Sequence, residues 1–187
     1  MAVPAPPGPG APRAPSGTGS LVPPRWSVPL AGTRLRVTVG LAGLVTTALA
    51  VGVVGTGAGA WLPLAAVTVL VVSTLVHELG HAWAAHDLGY RVEWVLLGGL
   101  TGTTAYSGPG DRPLDRAAVA LAGPAASALL VLGLLAVGST LADGAPSDVT
   151  DAATVANAAA AVANLVPFGH SDGRLLFDGL RHHGRRR

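Results

Sequence analysis

The 187-residue chain has no cysteine and no lysine, few aromatic residues and little charge. Without cysteine, neither disulfides nor thiolate metal sites can form, so any bound metal must be held by His, Asp or Glu. Charged residues make up 12% of the chain, against roughly 25% in a typical soluble domain. Together with a hydrophobic share of 50%, this scarcity of charge predicts a protein that is surrounded largely by lipid.

The basic residues are all arginine, and they form no stripe interleaved with aromatic residues, so we expect no nucleic-acid partner. Their placement instead follows a membrane pattern. Arginines precede the first apolar segment, lie between the second and third, and follow the fourth, whereas the other two loops have none. If basic loops stay in the cytoplasm, both termini are cytoplasmic and the chain is a multi-pass protein of the cell membrane.

The apolar segments predict about four transmembrane helices, at 37–59, 62–85, 117–138 and 152–168. The first three reach the roughly 20 residues that span a bilayer, while the fourth is shorter and rich in alanine. A cleaved signal peptide is the alternative for the first, although its length favours a retained helix. We expect a disordered Pro/Gly/Ala-rich cytoplasmic arm (1–33), a membrane-embedded domain (34–176) and a basic cytoplasmic tail (177–187).

The loop between the second and third helices, from Trp94 to Tyr106, is rich in β-branched and apolar residues and contains the turn signal Gly98-Gly99. It predicts a small β-hairpin in an otherwise all-α polytopic membrane protein. The hairpin either anchors the loop at the membrane interface or offers an edge to an extended peptide, and both interpretations stay open.

The second apolar segment ends in the sequence LVHELGHAWAAH, in which His77 and His81 are four residues apart. On a helix, this spacing places both imidazoles on one face, where they can bind one metal ion. Glu78 lies beside them and can take a proton from a water that zinc has acidified. Because ionisable residues inside a lipid-crossing helix are costly and usually functional, the motif predicts a catalytic site with one Zn2+ per chain.

Catalytic zinc usually has three protein ligands, so a third is needed. Asp172 follows Pro167, which should end the fourth helix, and the predicted topology places it on the cytoplasmic side with the two histidines. Asp172 is therefore the favoured third ligand, with His170 and Glu93 as alternatives.

Two motifs together, HELGH at 77–81 and NxxPxxxxDG at 164–173, resemble those of the site-2 protease family of intramembrane zinc metalloproteases. The resemblance covers residues 62–176. It implies His77, His81 and Asp172 as zinc ligands, Glu78 as catalytic base, and Asn164 as a residue that positions substrate or stabilises an oxyanion. Gly123-Pro124 also fits the family, but Ser127, a smaller hydrogen-bonding residue, stands where many members have Asn.

The resemblance implies regulated intramembrane proteolysis, in which a peptide bond in or near a transmembrane segment of a membrane-protein substrate is hydrolysed. The active site would face the cytoplasm, and a regulatory membrane partner is possible. Two other functions stay open. A non-proteolytic membrane scaffold of the same fold would not need Glu78, and a metal transporter would need further His or acidic residues along a continuous path, which the first and third segments lack.

Overall fold

The computed structural model describes residues 23, 25, 27–29, 35–38, 41–42, 44–45, 62–98, 101–108, 112–169 and 171–184. This part of the chain is mostly helical, with one small sheet. Its helices are α1 (Leu62–Asp87), α2 (Pro113–Gly138), α3 (Ala145–Leu165) and α4 (Asp172–Gly184). Its strands are β1 (Ser27–Pro29), β2 (Leu35–Thr38), β3 (Arg91–Leu97) and β4 (Gly102–Ser107).

The helices α1 and α2 are the two of the described chain that are long and apolar enough to cross a membrane. Large apolar side chains point away from the protein on both, for example Trp83 and Leu129, which are each 69% exposed. Apolar residues around the whole helix are typical of a membrane span. Helix α3 coincides with the predicted fourth span but begins earlier, has Asp148 in its first turn, and does not meet the same criterion.

The sheet is larger than the predicted β-hairpin, because four strands form it, in the order β1-β2-β3-β4. Strands β3 and β4 follow α1 and precede α2 in the chain, and they pair with each other in antiparallel orientation. Strand β2 pairs with β3 in parallel orientation. Strand β1 lies within the arm that we expected to be disordered. Strand β2 contains Val37 and Thr38, with which the first predicted span begins. These β-branched residues suit a strand, and here β2 pairs along the edge of β3 that β4 does not occupy. Apart from helical residues at 41–42 and 44–45, the rest of that span is outside the described residues.

A glycine turn places the sheet beside the C-terminal half of α1. Gly89 has a positive φ of 83°, and the hydrogen bonds Tyr90 N to Ala85 O and Gly89 N to His86 O close a Schellman motif. Tyr90 then donates its hydroxyl to Asp115 Oδ2 at 3.0 Å, which ties the start of β3 to the start of α2. Burial, followed by this hydrogen bond, raises the pKa of Tyr90 to about 12.

Helix α4 was not predicted, and it crosses the expected boundary at residue 176 between domain and tail. It packs along α2, where Gly179 fits closely against the carbonyl oxygen of Pro113 and the methyl group of Ala117. This packing holds Asp172, the first residue of α4, at the centre of the helical bundle.

Candidate metal centre

Three predicted ligands converge where α1, α2 and the start of α4 meet. His77 and His81 lie one turn apart on α1, with their Nε2 atoms 3.1 Å apart. Asp172 approaches both rings: Oδ2 lies 3.1 Å from His77 Nε2, and Oδ1 lies 3.4 Å from His81 Nε2. All three side chains are largely buried. The fold therefore brings together two residues of one helix and a third residue 95 positions away from His77.

The other ring nitrogens are occupied by hydrogen bonds from within the bundle. His81 Nδ1 lies 2.7 Å from the carbonyl oxygen of Val119, which can only accept, so Nδ1 carries the proton. His77 Nδ1 lies 3.0 Å from Ser127 Oγ. The bond to Val119 therefore fixes the tautomer of His81 and leaves its Nε2 lone pair free for a metal, while Ser127, which can donate or accept, holds the His77 ring in place.

With both Nε2 atoms unprotonated, the converging atoms are all acceptors: His77 Nε2 lies 3.1 Å from both His81 Nε2 and Asp172 Oδ2, and His81 Nε2 lies 3.4 Å from Asp172 Oδ1. Such an arrangement is repulsive unless a cation lies between the atoms. Two imidazoles and one carboxylate form a donor set that zinc takes in catalytic sites, with one position left open. The residues therefore fit a zinc ion.

Glu78 borders the same point. Its ligand atom and those of His77 and His81 lie within 4.8 Å of one another, so distance alone would admit Glu78 as a ligand. However, Glu78 Oε2 already accepts a hydrogen bond from Thr104 Oγ1 at 2.7 Å, whereas Asp172 points one oxygen at each imidazole. These contacts favour Asp172 as the third ligand and leave Glu78 beside the ion.

Ser127 is expected to set the metal affinity through its bond to His77. Ser127→Ala removes the partner of Nδ1, and the loss of such an outer hydrogen bond typically lowers metal affinity by about 10- to 100-fold. Competition with a zinc chelator measures this affinity. Ser139→Ala is the matched control, because Ser139 lies at the end of the same helix and its hydroxyl bonds only to Ala136 O. Equal zinc affinity in Ser127→Ala and Ser139→Ala would contradict the prediction.

A close approach of α2 to α1 makes the centre compact. Gly123 lies against both imidazoles, and a Cβ there would overlap the His81 ring and lie 2.8 Å from His77 Nε2. Gly80 on α1 faces the Ala122 carbonyl and the Ala126 methyl group at similarly short range. Small residues at such contacts let membrane helices pack backbone to backbone.

A cavity of about 910 Å³ opens onto the centre. Its walls include His77, Glu78, Asn164 and Asp172 on one side and β4 from Gly102 to Thr104 on another, and apolar residues of α1 continue it along the helix. The cavity is large enough to hold a short stretch of peptide next to the metal centre. A separate groove of about 900 Å³, which includes Trp83 and His86, contains none of the predicted site residues.

The remaining candidates lie as follows. Asn164 Nδ2 is 3.5 Å from His77 Nε2, at the rim of the centre. Glu93 on β3 instead accepts a hydrogen bond from Ser107 Oγ at 2.7 Å and pairs with Arg91 at 3.6 Å. His170 is outside the described residues. Sequence reasoning did not find Thr104, whose only signal was its place in the predicted hairpin.

Fold and site together define a mostly helical protein with two helices long and apolar enough to cross a membrane, and with a candidate metal centre of the His-Glu-x-x-His type. A family model, Peptidase family M50, matches residues 65–144. The fold matches that of the Site-2 Protease from Methanocaldococcus jannaschii with a TM-score of 0.64 and 18% identity, over 81% of this chain and 70% of that one.

Two curated relatives match in sequence. The first is "Putative zinc metalloprotease sll0528" of Synechocystis sp., 34% identical over 99 residues, which are 52% of this chain and 26% of the relative. The second is "Putative zinc metalloprotease Rip3" of Mycobacterium tuberculosis, 41% identical over 73 residues, which are 39% of this chain and 19% of the relative. The matched part of the chain thus spans about a quarter of the length of the first relative and about a fifth of the length of the second. The family model, the structural match and the two relatives all agree with the resemblance to the site-2 protease family that the two motifs predicted.

Proposed function

We propose that the protein is an intramembrane zinc metalloprotease that hydrolyses a peptide bond in or near a transmembrane segment of a membrane-protein substrate. The observation that carries this proposal is the convergence of His77, His81 and Asp172 on one point, with Glu78 beside it, at the end of an apolar helix. The names of the two curated relatives support the same activity and the same metal.

In this proposal each side chain has a distinct task. His77, His81 and Asp172 hold one zinc ion, which, when bound, acts as a Lewis acid that acidifies water and polarises a carbonyl group. Glu78 accepts the proton of the attacking water and passes it to the leaving amine. Asn164, whose amide lies 3.5 Å from His77 Nε2, donates a hydrogen bond to the substrate carbonyl next to the centre.

We further propose that the protein crosses the cell membrane four times, with both termini and the active-site side in the cytoplasm. The clustering of arginines in alternate loops supports this orientation. In it, α1 runs inward and places His77 and His81 near its cytoplasmic end. Residues 1–33 would then be a cytoplasmic arm and residues 177–187 a basic cytoplasmic tail that flank the membrane-embedded domain.

The substrate would bind as an extended strand along β4. This strand is the last in the sheet order, so one of its edges has no partner strand among the described residues. The same strand lines the cavity beside Glu78. An extended peptide that adds to such an edge gains backbone hydrogen bonds and would present its carbonyl groups to the metal centre.

Zinc removal tests this function directly. The purified chain, in liposomes with a tagged test protein that has a single transmembrane helix, should cleave that protein, stop when a chelator removes zinc, and recover when zinc is restored. Mass spectrometry of the fragments locates the cut relative to the helix. Cleavage that persists without any bound metal, or a cut confined to soluble regions far from the helix, would contradict the proposal.

A further inference from the structure

Glu78 is held by a residue from outside its own helix. Thr104 on β4 is buried, and its Oγ1 lies 2.7 Å from Glu78 Oε2 and 3.1 Å from the Glu78 carbonyl oxygen. A hydroxyl carries one proton, and both of its acceptors belong to Glu78, so the Thr104 hydroxyl serves this residue in either case. The shorter contact, to the carboxylate, is a charge-assisted hydrogen bond, the stronger kind.

The same strand touches the carboxylate at a second place. A Cβ on Gly102 would overlap Glu78 Oε1 and Cγ and would lie 2.6 Å from Cδ, so the Glu78 side chain lies flat against the Gly102 backbone. Because side chains alternate along a strand, Gly102 and Thr104 share the face that meets α1. Together they contact both oxygens of the carboxylate.

A glutamate side chain has three rotatable bonds, and a buried base is useful only if its free oxygen points at the attacking water. The contacts with β4 restrict that motion: Thr104 occupies Oε2, which leaves Oε1 to take the proton. We propose, resting on the proposed proteolytic function, that Thr104 is the positioning residue of the catalytic base, and that Gly102 provides the space in which the carboxylate is held.

This role connects substrate binding with the readiness of the base. Strand β4 would pair with the substrate along one edge, and through Thr104 and Gly102 it holds Glu78. A peptide that orders β4 therefore also orders the carboxylate that activates water.

Carbon NMR can observe the bond without any substrate. Glu78 and Glu93 are the only glutamates in the chain, so labelling with glutamate that carries 13C at the side-chain carboxyl gives two signals. The Glu93→Gln substitution removes one of these signals, so that only the signal of Glu78 remains. Thr104→Val should shift this signal, because it removes the donor with little change in shape. The matched control Thr154→Val, which removes a part-buried hydroxyl bonded to Thr150 O on α3, should not shift it.

Kinetics on the zinc-loaded protein then measure the effect on cleavage of the tagged single-span test protein. Thr104→Val should lower kcat by about 10- to 100-fold, the usual effect of one hydrogen bond to a charged group, with KM and zinc content unchanged. Thr104→Ser restores the hydroxyl and should recover most of kcat. Gly102→Ala should also lower kcat with zinc retained, because its methyl group displaces the carboxylate.

The outcomes separate the two proposals. A Glu78 signal that does not move in Thr104→Val overturns the positioning role, as does an unchanged kcat, or a serine variant as slow as the valine variant. Loss of zinc in Thr104→Val would indicate a structural role and would also overturn it. A wild-type chain that binds zinc but cleaves nothing contradicts the proposed function itself, and the inference about catalysis with it.

Discussion

Replacing Glu78 with glutamine is expected to lower peptide cleavage by about 10²- to 10⁴-fold, the range that a general base contributes. The amide has nearly the shape of the carboxylate but cannot accept the proton of the attacking water. Zinc content should stay at one ion per chain, because the three proposed ligands are intact. Cleavage of the single-span test protein and metal analysis of the same sample measure both quantities.

The chain offers a matched control for this substitution. Glu93→Gln changes the only other glutamate, which lies on β3 and pairs with Arg91 and Ser107 away from the centre, and it should leave cleavage unchanged. Loss of zinc in Glu78→Gln would show that Glu78 is a ligand, as the short distances to His77 and His81 would also allow. Unchanged biological activity of this variant would favour the non-proteolytic scaffold.

Replacing Asp172 with alanine should lower zinc affinity by more than about 100-fold, because a direct ligand contributes more than the outer hydrogen bonds whose loss lowers affinity 10- to 100-fold. Two imidazoles would remain, and cleavage should be lost with the metal. Zinc per chain, measured after dialysis against a weak chelator, gives the result. Far-UV circular dichroism tests whether α4 still forms without the acidic residue at its N-terminus.

Asp178→Ala is the control for this second substitution. It removes an aspartate from the same helix, where it pairs with Arg174 at 3.7 Å on the exposed side, so zinc should bind as in the wild type. If Asp172→Ala kept its full zinc content, the third ligand would have to be sought elsewhere, with Glu78 and His170 the first candidates.

The convergence of His77, His81 and Asp172 could be predicted from sequence because each part has a local signal. A four-residue spacing of histidines determines a shared helix face, and proline at 167 ends α3 at Leu165 so that Asp172 can turn back. Ser127 was noticed only as a departure from a family pattern, and the structure places its hydroxyl on His77. A serine is shorter than an asparagine, but the close approach of α1 and α2 at Gly123 brings it within reach.

Contacts between distant segments could not be predicted in this way. The parallel pairing of β2 with β3 joins Leu35 to Val95, and no local pattern specifies that register. The contact between Thr104 and Glu78 depends on how the sheet lies against α1, which the Schellman turn at Gly89 and the Tyr90–Asp115 bond determine together. Helix α4 was missed because its arginines and histidines suggested only a basic tail.

The order in which the ligands are synthesised has a consequence for biogenesis. The nascent chain inserts α1 with both imidazoles and Glu78 in place, yet Asp172 leaves the ribosome 95 residues after His77 and reaches the centre only when α4 docks on α2. If Asp172 is the third ligand, an unfinished chain would offer zinc only two of its three protein ligands. The proposed cleavage would then have to wait until α4 has docked on α2.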